Sequence, residues 1–143
     1  MNEDRIGAAA PGWFGVAAIG ALLWELLGCG LLIMQAVTDP ATLPRDQQAI
    51  WAATPAWMHA AWGFAVVTGL AGAVLLVMRH RRADPLLLAS FLAVVVQFSG
   101  LLIVPELSNL VASDDLLMPF VLIVVCYGIW HLARLARKSG WLA

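Results

Sequence analysis

Glu25 stands at the middle of a long apolar stretch, Trp13 to Val37, which reads WFGVAAIGALLWELLGCGLLIMQAV. An ionised side chain at the centre of a bilayer costs about 3 kcal/mol on insertion scales, so such residues face the protein interior and mark function by default. No lysine or arginine lies deep enough to neutralise it, and the protonated acid is the expected form. The polar residues able to meet it lie in a later apolar run. Ser90 and Gln97 share one helical face there, with Val94 between them and Leu101 beyond, and Gln97 is also near mid-membrane. Glu25 and Gln97 are the expected partners, because a polar group in lipid seeks a bond inside the bundle. Two chemistries stay open. One is a site for a proton or polar ligand, lined by Glu25, Gln97, Trp24 and Ser90. The other is a protonated Glu25 bonded to Gln97 as glue between helices. Gln35 points roughly 80° away from Glu25, near the outer interface.

The remaining reactive residue types form no constellation. His59 lies near the outer end of the second apolar run, and His131 near the inner end of the fourth. His80 sits in a basic loop. His59 with Glu106 is the one plausible metal pair, and two ligands without a motif make a weak site. No metal and no cofactor are therefore expected. Cys29 and Cys126 both fall inside apolar runs and read as small packing residues. There is no GxSxG, HExxH or P-loop, and an enzyme is not expected.

The elements that carry these residues follow from composition. Of 143 residues, 62% are hydrophobic and 12% are charged, with a mean hydropathy of +0.88. A soluble domain is about a quarter charged, so the chain belongs to the membrane class. No basic stretch interleaved with aromatics offers a nucleic-acid surface. Four apolar runs, 13–37, 57–78, 86–104 and 116–133, each have about the length needed to cross the hydrocarbon core. The expected fold is all-α: a polytopic membrane four-helix bundle forming one domain over residues 1–143. Leu26-Leu27-Gly28-Cys29 resembles a lipoprotein cleavage box. The apolar run continues past Cys29, however, and the leading segment is not basic, so a retained span is expected.

Between the runs, residues 1–12 read as a frayed tail ending at Pro11-Gly12. The stretch RDQQAIWAA is expected to form a short amphipathic surface helix, with Trp51 and Trp57 at headgroup depth. Thr54-Pro55 and Asp84-Pro85 read as a cap followed by proline at the first helical position. Ser113-Asp114-Asp115 starts the fourth span, with Pro119 in its first turns, and Gly140-Trp141-Leu142 is a short tail. The second span carries Ala61, Ala65, Gly69 and Ala73 at i, i+4 spacing, a small-residue face on which another helix can pack closely. Arg5, Arg79, Arg81, Arg82, Arg134, Arg137 and Lys138 fall on one side of the spans, against Arg45 alone on the other. That bias places both termini in the cytoplasm.

Taken together, LLWELLG (Leu22 to Gly28), Gln35, TPAW (Thr54 to Trp57), Gly69 and Gly72 before LLVMR, Ser90, Gln97 and the terminal GWL carry a resemblance. The chain resembles small four-helix bacterial membrane proteins that are often labelled "sugar transporter". The resemblance covers nearly the whole chain. It implies a multi-pass protein of the bacterial inner membrane, and in that group an Asn often stands where this chain has Glu25. Small multidrug resistance exporters are also four-helix chains with a Glu in the first helix. Their motifs are not present here, and the charge bias opposes their dual insertion. Two functions are expected to compete. One is a small-solute, sugar-like carrier with a protonatable mid-membrane Glu, which four short helices would serve best as a homo-oligomer. The other is a non-catalytic accessory or assembly subunit packed against a larger membrane complex. The lipid bilayer is the partner common to both, and no nucleic acid is expected.

Overall fold

The computed structural model describes residues 9–143, and the tail expected over 1–12 lies mostly outside them, as does Arg5. The described residues form six α-helices: α1 (Gly12–Val37), α2 (Arg45–Ala53), α3 (Ala56–Val77), α4 (Ala83–Ile103), α5 (Pro105–Leu110) and α6 (Leu117–Lys138). No strand occurs among them. Helices α1, α3, α4 and α6 are each long and apolar enough to cross a membrane. A helix suits that setting because it satisfies its backbone groups internally. Helix α1 runs unbroken through Cys29.

Proline and the left-handed conformation punctuate these helices. Helices α1 and α3 each begin directly after an extended proline, Pro11 and Pro55. Thr54 therefore does not cap α3 as expected. It ends α2 instead, and its hydroxyl donates to the Ile50 carbonyl at 2.7 Å. Helix α4 stops at Ile103 because Val104 precedes Pro105 and is held extended. Helix α3 ends with Arg79 at φ 58, the His80 amide donating back to the Leu75 carbonyl at 2.8 Å. Gly140, at φ 72, ends α6 in the same way, with the Trp141 amide donating to the Ala136 carbonyl at 2.9 Å. This is the Schellman arrangement, and glycine adopts it more cheaply than arginine.

Two other expectations need correction. Helix α4 begins at Ala83 rather than at Leu86, so Asp84 lies in its first turn and caps nothing. Its carboxylate is used over long range. Oδ1 accepts from the Trp130 indole at 3.0 Å, and Oδ2 from the Arg137 guanidinium at 3.0 Å. Helix α6 continues to Lys138 rather than stopping at Ala133, preceded by a 3₁₀ turn over Ser113–Leu116.

Helix α3 is central, packing on both α1 and α4, while α4 also packs on α6. Its small residues permit this. Ala65, Gly69 and Ala73 are buried, and Ala61 is half-buried. Glycine is required at two crossings with α4 and α1. A methyl group on Gly72 would stand 2.7 Å from Leu87 Cγ and 3.1 Å from the Leu87 backbone nitrogen. Gly69 receives Glu25. Helix α1 buries Phe14, Ala18, Ala21 and Glu25 along one face.

The start of α1 and the C-terminal residues meet at one end of the molecule, here the basic end. Phe14, Leu76, Leu87, Ala133 and Leu142 belong to one core cluster there. Of the expected tail, Gly140-Trp141-Leu142, Leu142 is part of that core and Trp141 packs against it. Trp141 makes edge contacts with Trp13 and Phe14, ring centroids 5.9 and 5.6 Å apart. The Ala143 amide donates to the Arg79 carbonyl at 2.7 Å, and the Arg81 amide to the Ala143 carbonyl at 3.0 Å.

Candidate functional site

Toward the opposite end the helices separate. Leu43 and α2, expected as a surface helix and found over Arg45–Ala53, lie over a chamber of about 600 Å³. Its walls come from α1, α2, α3, α4 and α6. Trp24, Trp51, Trp62 and Phe98 supply aromatic surface, and Gln35, Gln47, His59 and Gln97 supply polar groups. That pairing of broad apolar walls with a few convergent polar groups is the usual make-up of a small-molecule site.

The polar groups at the upper wall are organised. The Gln35 amide donates to His59 Nδ1 at 3.1 Å, which leaves Nε2 to carry the ring proton. The Trp51 ring lies 5.7 Å from the His59 ring and holds its other side. Sequence reasoning placed Gln35 and His59 at the same depth but did not pair them. Matching depth on adjacent helices was the available signal. Among the described residues, no group of three or more His, Cys, Asp or Glu side chains is placed to hold a metal ion.

A second, smaller cavity of about 80 Å³ continues the chamber toward Glu25. Trp24, Gly28, Trp62, Gln97, Phe98 and Leu122 line both spaces. Glu25, Ser90 and Cys126 line only the inner one. All four sequence-derived candidates, Glu25, Gln97, Trp24 and Ser90, therefore border one cavity. Their connections differ from expectation. Among the described residues, no side-chain hydrogen bond joins Glu25 to Gln97, so the Glu–Gln bridge is not formed.

The neighbours of Glu25 are Gly69 and Ser90. A methyl group built on Gly69 would collide with Glu25 Oε2, and would lie 2.7 Å from Glu25 Cδ and 2.8 Å from Ser90 Oγ. The carboxyl and the hydroxyl thus converge on one point above the glycine. Ser90 is 4% exposed and donates its proton to the Ala65 carbonyl across the α3–α4 contact, at 2.8 Å. Glu25 is 7% exposed, and among the described residues its carboxyl has no hydrogen-bonding side chain or backbone group. Gly69, read from the sequence as a packing residue, is also what lets Glu25 lie between α1 and α4.

Four helices of this length and apolarity are compatible with a small multi-pass membrane protein. No protein family, curated protein or solved structure matches the chain.

Proposed function

We propose that the chain is an inner-membrane carrier of a small solute, bound in the chamber between α1, α3, α4 and α6. The observation that carries this reading is the continuity of the two cavities. They run from the α2 end to the Glu25 carboxyl, which lines the inner cavity and makes no side-chain hydrogen bond among the described residues. Helix–helix glue would have satisfied Glu25 with a partner side chain. By the positive-inside rule the basic end faces the cytoplasm, with both termini, and α2 lies on the outer face. The helices then form a polytopic four-helix bundle whose chamber opens outward. The resemblance to the four-helix "sugar transporter" group supports carriage, and makes a sugar the first solute to try.

The test is flux. The purified chain is reconstituted into sealed vesicles, and uptake of radiolabelled sugars, polyols, amino acids and amines is compared with that of protein-free vesicles. Saturable uptake of one class, reduced roughly tenfold by Gln97→Leu, is the expected result. Rates equal to those of protein-free vesicles across the whole panel would remove the carrier reading.

A further inference from the structure

Resting on the carrier reading, we infer that the solute is an organic amine: an ammonium group on a carbon-rich body, its nitrogen at Glu25 and its body between Trp24 and Trp62. Three observations lead there. The first is the hydrogen-bonding character of the inner cavity. Glu25, once it has given up its proton, only accepts, and Ser90 has already committed its proton to the Ala65 carbonyl at 2.8 Å. Two acceptors converging over Gly69 call for a group rich in donors, and an ammonium group offers nothing else.

The second observation is charge. Among the described residues, no lysine or arginine lines either cavity, so an ionised Glu25 has no countercharge in the protein. A buried charge without a partner is strongly unfavourable, and a ligand cation removes that penalty. The same absence gives an anionic solute no lysine or arginine to pair with in either cavity. Trp24 and Trp62 border both cavities and stand at the junction. Indole faces are the best of the aromatic rings for a desolvated cation.

The third observation is the entrance. The chamber wall includes Leu27 and Leu31, which are 59% and 50% exposed on the outer apolar surface of α1. Leu122 of α6 forms the wall opposite. Helices α1 and α6 do not pack closely on one another. The chamber therefore opens sideways toward hydrocarbon beneath α2, which suits a solute with an apolar body.

The experiment is titration calorimetry on the full chain in nanodiscs of phosphatidylglycerol, with empty nanodiscs subtracted. The probes are 2-phenylethylammonium and its neutral near-isostere 2-phenylethanol. The expected result is roughly tenfold tighter binding of the ammonium ion, consistent with a desolvated cation–π contact plus an ion pair. Glu25→Gln is expected to abolish that preference. The wild-type ratio needs no variant, so the inference is decided even if Glu25→Gln does not fold. Equal affinities, or binding of glucose in place of either probe, overturn the amine and leave the carrier reading intact. Amine binding without amine flux overturns carriage and leaves the ligand class intact. A lipid headgroup could supply the same chemistry. Loss of 2-phenylethylammonium affinity on adding phosphatidylethanolamine to the nanodiscs identifies the lipid amine as the occupant, and unchanged affinity identifies a free amine.

Discussion

At the basic end, Phe14, Leu76 and Leu87 fill the space between helices, and Leu142 comes in from the chain terminus. About four to five turns further along the same helices, Leu31, His59 and Leu101 stand around an open chamber. Both regions are apolar, so hydrophobicity does not separate them. Side-chain size does. The closed end interleaves its few large residues with Ala18, Ala21, Ala83, Ala133 and Ala136, which let backbones approach. The open end sets Trp24, Trp51, Trp62 and Phe98 around its space, and their rings hold the helices apart. Glu25 marks the boundary. Above it lies cavity, and below it Ala21, Ala18 and Phe14 continue the buried face of α1.

The largest effect is expected from breaking the closed end at the chain terminus. Deleting residues 141–143 removes the Trp141 edge contacts, worth about 1 kcal/mol each. It also removes the buried Leu142 side chain, worth about 2 kcal/mol, and the two backbone bonds to the α3–α4 turn. A loss of about 3–5 kcal/mol is expected in reversible detergent unfolding followed by circular dichroism. A wild-type unfolding midpoint in the truncated chain would mean that the four long helices close this end unaided.

Gly72→Ala comes next. The added methyl group meets Leu87 at its Cγ and at its backbone nitrogen, 3.1 Å away, and backbone cannot swing aside. The expected loss is about 2 kcal/mol, typical of overpacking, read by the same unfolding assay. Gly100→Ala is the control, since the nearest atoms its methyl group would meet belong to the Met58 side chain and not to backbone. If the two variants prove equally stable, backbone proximity does not control the α3–α4 contact.

These two sites also show how far the fold was legible in the sequence. The four spans and the helix over Arg45–Ala53 could be read directly, because apolar runs and proline boundaries are local signals. The small-residue face of α3 was legible too, being a property of one helix. Partners across helices were not. Asp84 beside Pro85 has the local pattern of a cap, yet it answers to Trp130 and Arg137, 46 and 53 residues away. Glu25 and Gln97 were matched by depth, and both do border the inner cavity. Depth alone cannot say which of Ser90 and Gln97 turns toward the carboxyl, because that depends on the rotation of α4 set by Gly69 and Gly72. The terminal GWL looks like a tail because three residues carry no periodicity.

Asp84→Ala is expected to have an intermediate effect. It leaves the Trp130 indole without its acceptor and frees Arg137. The Arg137 arm is over half exposed and contributes little. The Trp130 bond is part-buried, and its loss costs about 1–2 kcal/mol. The Trp130 fluorescence maximum should shift as its N–H loses a carboxylate. Asp84→Asn keeps an acceptor and should recover most of the stability. If Asn is as damaging as Ala, charge rather than the indole bond is what Asp84 supplies.

The smallest effect on stability is expected where the effect on binding is greatest. Gln97 lines both cavities and, among the described residues, its side chain makes no hydrogen bond to the protein. Gln97→Leu therefore removes no internal bond and leaves the packed end untouched, so unfolding should shift by less than about 0.5 kcal/mol. Solute uptake, and the calorimetric signal of any solute whose polar groups reach the junction, should fall roughly tenfold, because a buried ligand group would lose its partner. A membrane protein whose interior served only to hold its helices together would show the reverse pattern. In that case Gln97→Leu would act on stability like Gly72→Ala, and the contrast between a packed end and a working end would dissolve.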